Sequence, residues 1–159
     1  MKEITNQKKL ETLKAYLLEM GHANPEELED LTVENCFNDS CNTFEVVGNE
    51  YKILTDEEAD EAAHDAIINE LWAFNADFIL RHTEFYNNSC DREDAEFIRA
   101  IQMLQSSICE GINSIVKALI VDIDEFITDA IDADGRGHFI SWYDGREHEQ
   151  NDLFIYRTN

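Results

Sequence analysis

The chain has little of what interrupts, crosslinks or anchors a fold. It contains one proline, Pro25, and 6 glycines, so nothing blocks long helices and low-complexity or collagen-like architectures are excluded. Its cysteines, Cys36, Cys41, Cys90 and Cys109, are scattered rather than framed, which points to reduced thiols in an intracellular protein and away from a disulfide scaffold. No apolar run approaches the roughly 18 residues of a membrane span. The opening MKEITNQKKLETLKAYLLEMG is too polar and too regularly amphipathic for a secretory signal. Positive charge is the scarcest commodity: 12 Lys and Arg stand against 35 Asp and Glu, a formal net charge of −23. That excess opposes compaction and repels nucleic acid and anionic membranes. It argues against direct nucleic-acid binding and a membrane-surface role, and it favours cations or basic protein surfaces as partners.

What is present nonetheless folds. Apolar residues make up 43% and aromatics 10%, unlike disordered acidic tails, which lack aromatics and periodicity. A length of 159 residues fits one domain, 1–159, with a respectable core. Within it, 1–24 reads as a near-neutral N-terminal helix, 25–61 as a strongly acidic segment, 62–137 as a helical core and 138–159 as a C-terminal hairpin. Leu10, Leu13, Leu17 and Met20 share one helical face that Gly21 ends. Asn24-Pro25-Glu26-Glu27 reads as a helix cap with proline at the first helical position, opening a short acidic helix to about Leu31.

From Thr43 the period shortens to two. Phe44 to Val47 and Tyr51 to Leu54 flank Gly48-Asn49, a hairpin signal. Thr55 and Glu58 have capping-box spacing and start a helix expected to run to about Leu80, with Ala59, Ala62, Ala63, Ala66, Ile67, Leu71, Phe74 and Phe78 on its apolar face. Another helix is expected from about Asp91, broken or bent at Gly111 and continuing to about Ala133, before a loop at Asp134-Gly135-Arg136-Gly137. Two strands, Glu147 to Gln150 and Leu153 to Tyr156, meet near Asn151-Asp152. The expected class is α+β: three substantial helices packed on a small antiparallel sheet from two hairpins.

The charge is lopsided. Residues 25–61 hold thirteen acids against one base, Lys52. In the stretch LTDEEADEAAHD, Glu57, Glu58, Glu61 and Asp65 fall on one helical stripe at about 100° per residue. Acids in a first helical turn are stabilised by the helix dipole, by roughly 0.3–1 kcal/mol each. That covers Asp56 to Glu58 but not Asp60, Glu61 or Asp65, and no lysine is interleaved to relieve the repulsion. Duplex DNA carries about one negative charge per 1.7 Å of axis, and helical carboxylates about 5–6 Å apart imitate a row of phosphates. The candidate partner-binding residues are therefore Glu26, Glu27, Glu29, Asp30, Glu57, Glu58, Glu61 and Asp65. The plainer alternative is an accessory interaction domain whose acidity serves only solubility.

Signals for chemistry are weak by comparison. Glu61-Ala62-Ala63-His64 has the Glu-x-x-His spacing of carboxylate-bridged di-metal bundles, and a metal-dependent enzyme using Glu61 and His64 is the lesser alternative. Its needed second copy is found only at Glu19 to His22, where Gly21 ends the helix. Cys36 and Cys41 lack two further ligands at zinc spacing. Asp132-Ala133-Asp134-Gly135 fails the calcium-loop template, which would need acids where Arg136 and Tyr143 stand. No nucleophile elbow, phosphate loop or dinucleotide fingerprint occurs. His138 reads as a helix-end histidine, and Trp72, Phe74 and Trp142 as core or protein-interface residues rather than a base-stacking platform. The residues thus point to no enzyme, no cofactor and no resident metal.

Three segments, YKILTDEEADEAAHDAIINELWAF at 51–74, DAIDADGRGHFISWYDG at 129–145 and FIYRTN at 154–159, together resemble small acidic proteins carried by bacteriophages and other mobile elements. The resemblance covers about a third of the chain and brings no catalytic residues. It implies a phage setting, in which acidic DNA mimics that block restriction enzymes or CRISPR effectors are a recurrent type. The combined expectation is an anti-CRISPR or antirestriction inhibitor in the cytoplasm of a bacterial host. Its partner would be a basic nucleic-acid-binding protein, a nuclease or effector complex. A tight complex would add an aromatic contact, and the sequence does not reveal which aromatic is exposed.

Overall fold

A computed structural model describes residues 4–86 and 92–159. In chain order the elements are α1 (Asn6–Glu19), α2 (Pro25–Glu29), α3 (Val33–Cys36), β1 (Phe37–Asn38), β2 (Thr43–Val46), β3 (Asn49–Leu54) and α4 (Asp56–Asn69). There follow α5 (Ala76–Arg81), α6 (Arg92–Ile108), α7 (Asn113–Leu119), α8 (Ile123–Asp134), α9 (Arg136–Ile140), β4 (His148–Gln150) and β5 (Leu153–Arg157). The class is α+β. The chain forms two compact units, one from the residues up to Ala63 and from Asp134 onward, the other from His64 to Ala133. Asp91, where a helix is expected to start, and Cys90 lie outside the described residues.

The first unit holds an antiparallel sheet in the order β1-β2-β3-β5-β4. The two hairpins expected from the sequence are joined at the centre, where Tyr51 faces Arg157 and Ile53 faces Ile155. Each turn carries two left-handed residues, Val47 and Gly48 in one, Asn151 and Asp152 in the other, as a two-residue hairpin of matching twist requires. The first turn falls one residue earlier than the Gly48-Asn49 expectation, since Val46 pairs with Asn49. The reason is tertiary: the Asn49 side-chain oxygen accepts a hydrogen bond from Arg157 Nη2, which holds Asn49 in the strand. Strand β1 and helix α3 are too short to show periodicity and were not expected.

On this sheet α1 packs Leu10, Leu13 and Leu17 of the face predicted for it, while Met20, also predicted there, is exposed at the helix end. Leu10, Leu13, Tyr16 and Leu17 form one buried cluster with Phe44, Val46, Tyr51, Ile53, Leu153 and Ile155. Burying each such aliphatic side chain contributes roughly 1.5–3 kcal/mol. The capping box expected at Thr55 is made, and the cap expected at Asn24 is a capping box too. Asn24 accepts from the Glu27 amide while Glu27 accepts from the Asn24 amide, and Thr55 and Glu58 exchange the same pair of bonds.

In the second unit the helix expected to reach Leu80 stops at Asn69, and α5 starts afresh at Ala76. Side chains from elsewhere in this unit take up the freed backbone groups. Asn113 accepts from the Trp72 amide and donates to the Ile68 carbonyl, while Gln105 donates to the carbonyls of Trp72 and Phe74. Asn75 then caps the new helix by accepting from the Asp77 amide. No local pattern announces such partners. The break at Gly111 is present: α6 ends at Ile108 and a short 3-10 turn, Cys109–Ile112, leads to α7. Phe74, Phe78 and His82 gather around Phe126, whose ring centroid lies 4.9–5.0 Å from each of theirs.

Instead of a loop at Asp134 to Gly137, a single left-handed residue, Gly135, separates α8 from α9. Gly137 allows the next step, because a Cβ there would lie 2.6–2.7 Å from backbone atoms of Gly145, Arg146 and Glu147. Gly137→Ala should therefore cost about 1–3 kcal/mol, as overpacking does, and lower the melting temperature by several degrees. At Gly111 a Cβ meets only Ile108 at ordinary contact distance, 3.6 Å, so Gly111→Ala should stay within about 1 kcal/mol of neutral. Thermal melts that place the two variants together would contradict this close approach.

Candidate interaction surface

The sequence offers acids as the site, and the structure divides them into those held internally and those left exposed. The division is made by Arg136. Its Nε and Nη2 donate to the two oxygens of Glu147, both at 3.0 Å, and its Nη1 donates to Asp56 at 2.8 Å and Asp60 at 2.7 Å. The guanidinium also lies 4.5 Å from the centroid of the Phe154 ring, a cation–π contact. The side chain is 13% exposed. Burial disfavours its charge, but the hydrogen bonds to Glu147, Asp56 and Asp60 outweigh this and push its pKa upward. Glu147 also accepts from the Tyr156 hydroxyl. Burial, and then that bond, raise the pKa of Tyr156 and keep its proton in place.

A second buried cation acts on the same helix start. Lys9 is 3% exposed, and its ammonium donates to both oxygens of Glu58, at 2.9 and 2.6 Å. Burial alone would raise the Glu58 pKa. The Lys9 hydrogen bond and charge and the Thr55 bonds prevail and hold it below the usual value. Lys14 donates to the Leu31 carbonyl at 2.7 Å, and Arg157 bonds to Asn49 and to the Asn159 carbonyl. These cations of the first unit are thus engaged within it.

The predicted site residues separate accordingly. Glu26, Glu27, Glu29 and Asp30 are exposed along α2 and its end, while Leu28 between them is buried. Glu57 and Glu61 are exposed one turn apart on α4, and among the described residues neither makes an ion pair. Asp65 falls in the second unit, exposed, with its carboxylate 3.4 Å from His64 Nδ1. Glu58 is half-buried, a capping residue and the counterion of Lys9, so it belongs with the structure rather than the free stripe. Sequence reasoning missed Lys9 and Arg136. One signal for Lys9 was available: it precedes Leu13 by four residues and Tyr16 by seven, which puts a lysine on the apolar face and calls for a buried acid.

Nothing nearby assembles into an activated nucleophile. The Ser141 hydroxyl lies 2.9 Å from Asp144 and 2.7 Å from the Arg157 carbonyl, and with one proton it donates to only one of them at a time. His148 Nε2 is 4.0 Å from the far oxygen of Asp144. The order is therefore hydroxyl, carboxylate, imidazole, whereas general-base activation of a serine puts the imidazole in the middle. Among the described residues no three His, Cys, Asp or Glu side chains gather as metal ligands. Cys36, Cys41 and Cys109 are free thiols, and Asp132 and Asp134 lie in the last turn of α8 rather than in a loop. No described helix is long and apolar enough to cross a membrane. No protein-family model, curated protein or solved structure matches the chain.

Two measurements check the division of acids. Glu57→Gln and Glu61→Gln should leave stability within about 0.5 kcal/mol of the parent, as exposed substitutions do, while Glu58→Gln should lower it. Because the folded pKa of Glu58 lies below its ordinary value of 4.5, the parent's advantage over Glu58→Gln should be complete above that value. It should vanish as pH falls through the folded one. A difference in melting temperature that persists unchanged through acid pH would contradict the Lys9–Glu58 pairing.

Proposed function

We propose that the chain is an anti-defence protein of phage type, an anti-CRISPR or antirestriction inhibitor acting in the cytoplasm of a bacterial host. It blocks a DNA-targeting nuclease by lying in the basic surface meant for DNA. The observation that carries this reading is the fate of the charges. The chain bears −23, and Lys9 and Arg136, the cations nearest the acidic helix start, are turned inward onto Glu58, Asp56 and Asp60. Glu57, Glu61 and the acids of α2 face solvent and make no ion pair among the described residues, Glu27 being bonded only to the Asn24 amide. Acidity serving solubility alone gives no reason for stabilising a helix start by internal pairs while keeping its outward stripe uniformly negative. The resemblance of residues 51–74, 129–145 and 154–159 to phage-borne acidic proteins supports the setting.

Binding of this kind is physical rather than chemical. A field of one sign steers association, and the nuclease releases the same counterions that it would release onto DNA. The contacts on the first unit are Glu26, Glu27, Glu29, Asp30, Glu57 and Glu61, with Glu58 supporting the helix from behind. The test is cleavage of plasmid DNA by a purified RNA-guided nuclease and by a purified restriction endonuclease, with and without the chain. Wild-type protein should inhibit at least one of them, and more weakly as salt rises. Glu57→Lys combined with Glu61→Lys should cut inhibition by about tenfold or more while the melting temperature holds. Undiminished inhibition by that folded variant would overturn the placement of the surface, and no inhibition of either enzyme would overturn the reading.

A further inference from the structure

The loop between α9 and β4 carries Trp142, 82% exposed, and Tyr143, 57% exposed. An indole so far out of the core is uncommon on a free surface, and here its support is built rather than loose. Ser141, just before it, is buried, and its hydroxyl lies against Asp144 and the Arg157 carbonyl. Asp144, just after the pair, accepts from the Arg146 amide at 3.0 Å, and the Gly145 amide donates to the Ser141 carbonyl at 3.2 Å. The Arg157 guanidinium stacks 3.5 Å above the centre of the Tyr143 ring and reaches on to Asn49, at the foot of the β2–β3 turn.

The tip of that turn is Val47, 47% exposed and left-handed at φ 51°. A β-branched residue is strained there, and Gly, Asn or Asp would not be. An exposed apolar side chain is thus held at a position where stability favours a different one. The Arg157 guanidinium carries the Tyr143 ring and holds Asn49, two residues after Val47, while Trp142 directly precedes Tyr143 in the chain.

Charge decides what this patch meets. Aromatics beside an arginine resemble a base-stacking platform, but nucleic acid is repelled by −23, and so are an anionic membrane and a second copy of the chain. A basic protein surface is the occupant that this field attracts. We propose that Trp142, next in the chain to the Arg157-stacked Tyr143, is the apolar anchor of the inhibitory complex, inserting its indole into an apolar recess bordered by Lys or Arg on the nuclease. The inference rests on the function proposed above and adds what acidic rows do not provide. Charge sets encounter and orientation, whereas a rigid buried aromatic slows departure.

The experiment is binding kinetics of the full chain on the same two purified nucleases over a range of salt. Trp142→Ala should raise the dissociation rate about tenfold or more while leaving the association rate, the salt slope and the melting temperature unchanged. Trp142→Phe should fall between. The Glu57→Lys, Glu61→Lys variant should do the opposite, slowing association and flattening the salt slope. Wild-type protein that binds neither nuclease overturns both proposals. Binding with a Trp142→Ala dissociation rate equal to wild type overturns the anchor alone and leaves the acidic surface standing. Sedimentation showing a dimer that Trp142→Ala dissociates would assign the patch to a second copy and overturn it as well.

Discussion

One guanidinium decides how much of the acidity is structural. Arg136 brings together Asp56 and Asp60 from the first turns of α4 and Glu147 from the approach to β4. Breaking such a partly buried cluster from one side leaves charge that the remaining groups cannot neutralise, which is why these networks resist single substitutions poorly. Its consequence is positional. The start of α4 is held on one side by Arg136 and on another by Lys9 through Glu58. A helix beginning pinned at positions 56, 58 and 60 leaves 57 and 61 pointing elsewhere. The outward stripe is therefore the remainder after internal pairing, held in one orientation rather than on a freely frayed end.

That division was only half legible in the residues. Local chemistry was readable: the helix caps at Asn24 and Thr55, the apolar face of α1 apart from Met20, the C-terminal hairpin at Asn151-Asp152 and the break at Gly111 all depend on neighbours in sequence. What escaped depends on partners far along the chain. Asn113 and Gln105 interrupt the helix after Asn69 by bonding Ile68, Trp72 and Phe74. Arg157 shifts the first hairpin turn by holding Asn49. Glu58 read as one more acid of a stripe, because its counterion lies 49 residues away. Arg136 sat in what looked like a loop, because Gly137 permits a backbone approach that no pattern encodes.

The same logic separates the two parts of the proposed interface. The acids were visible as composition, and the structure trims their number. The aromatic was visible only as a residue type. Trp142 is exposed in a loop that Ser141 ties to the Arg157 carbonyl and that Arg157 stacks upon at Tyr143, contacts between residues far apart in the chain. A negative field combined with a rigid apolar contact suits a partner that must be found quickly and held.

The claim at the centre is that the chain takes the place of DNA on a basic protein. It is tested most directly by whether a nuclease it inhibits can hold both at once. With labelled chain bound to that nuclease, saturating unlabelled duplex should displace it fully, and the apparent affinity should fall in proportion to the duplex added. A stable ternary complex, with duplex and chain bound together, would contradict mimicry and place the inhibitory contact elsewhere.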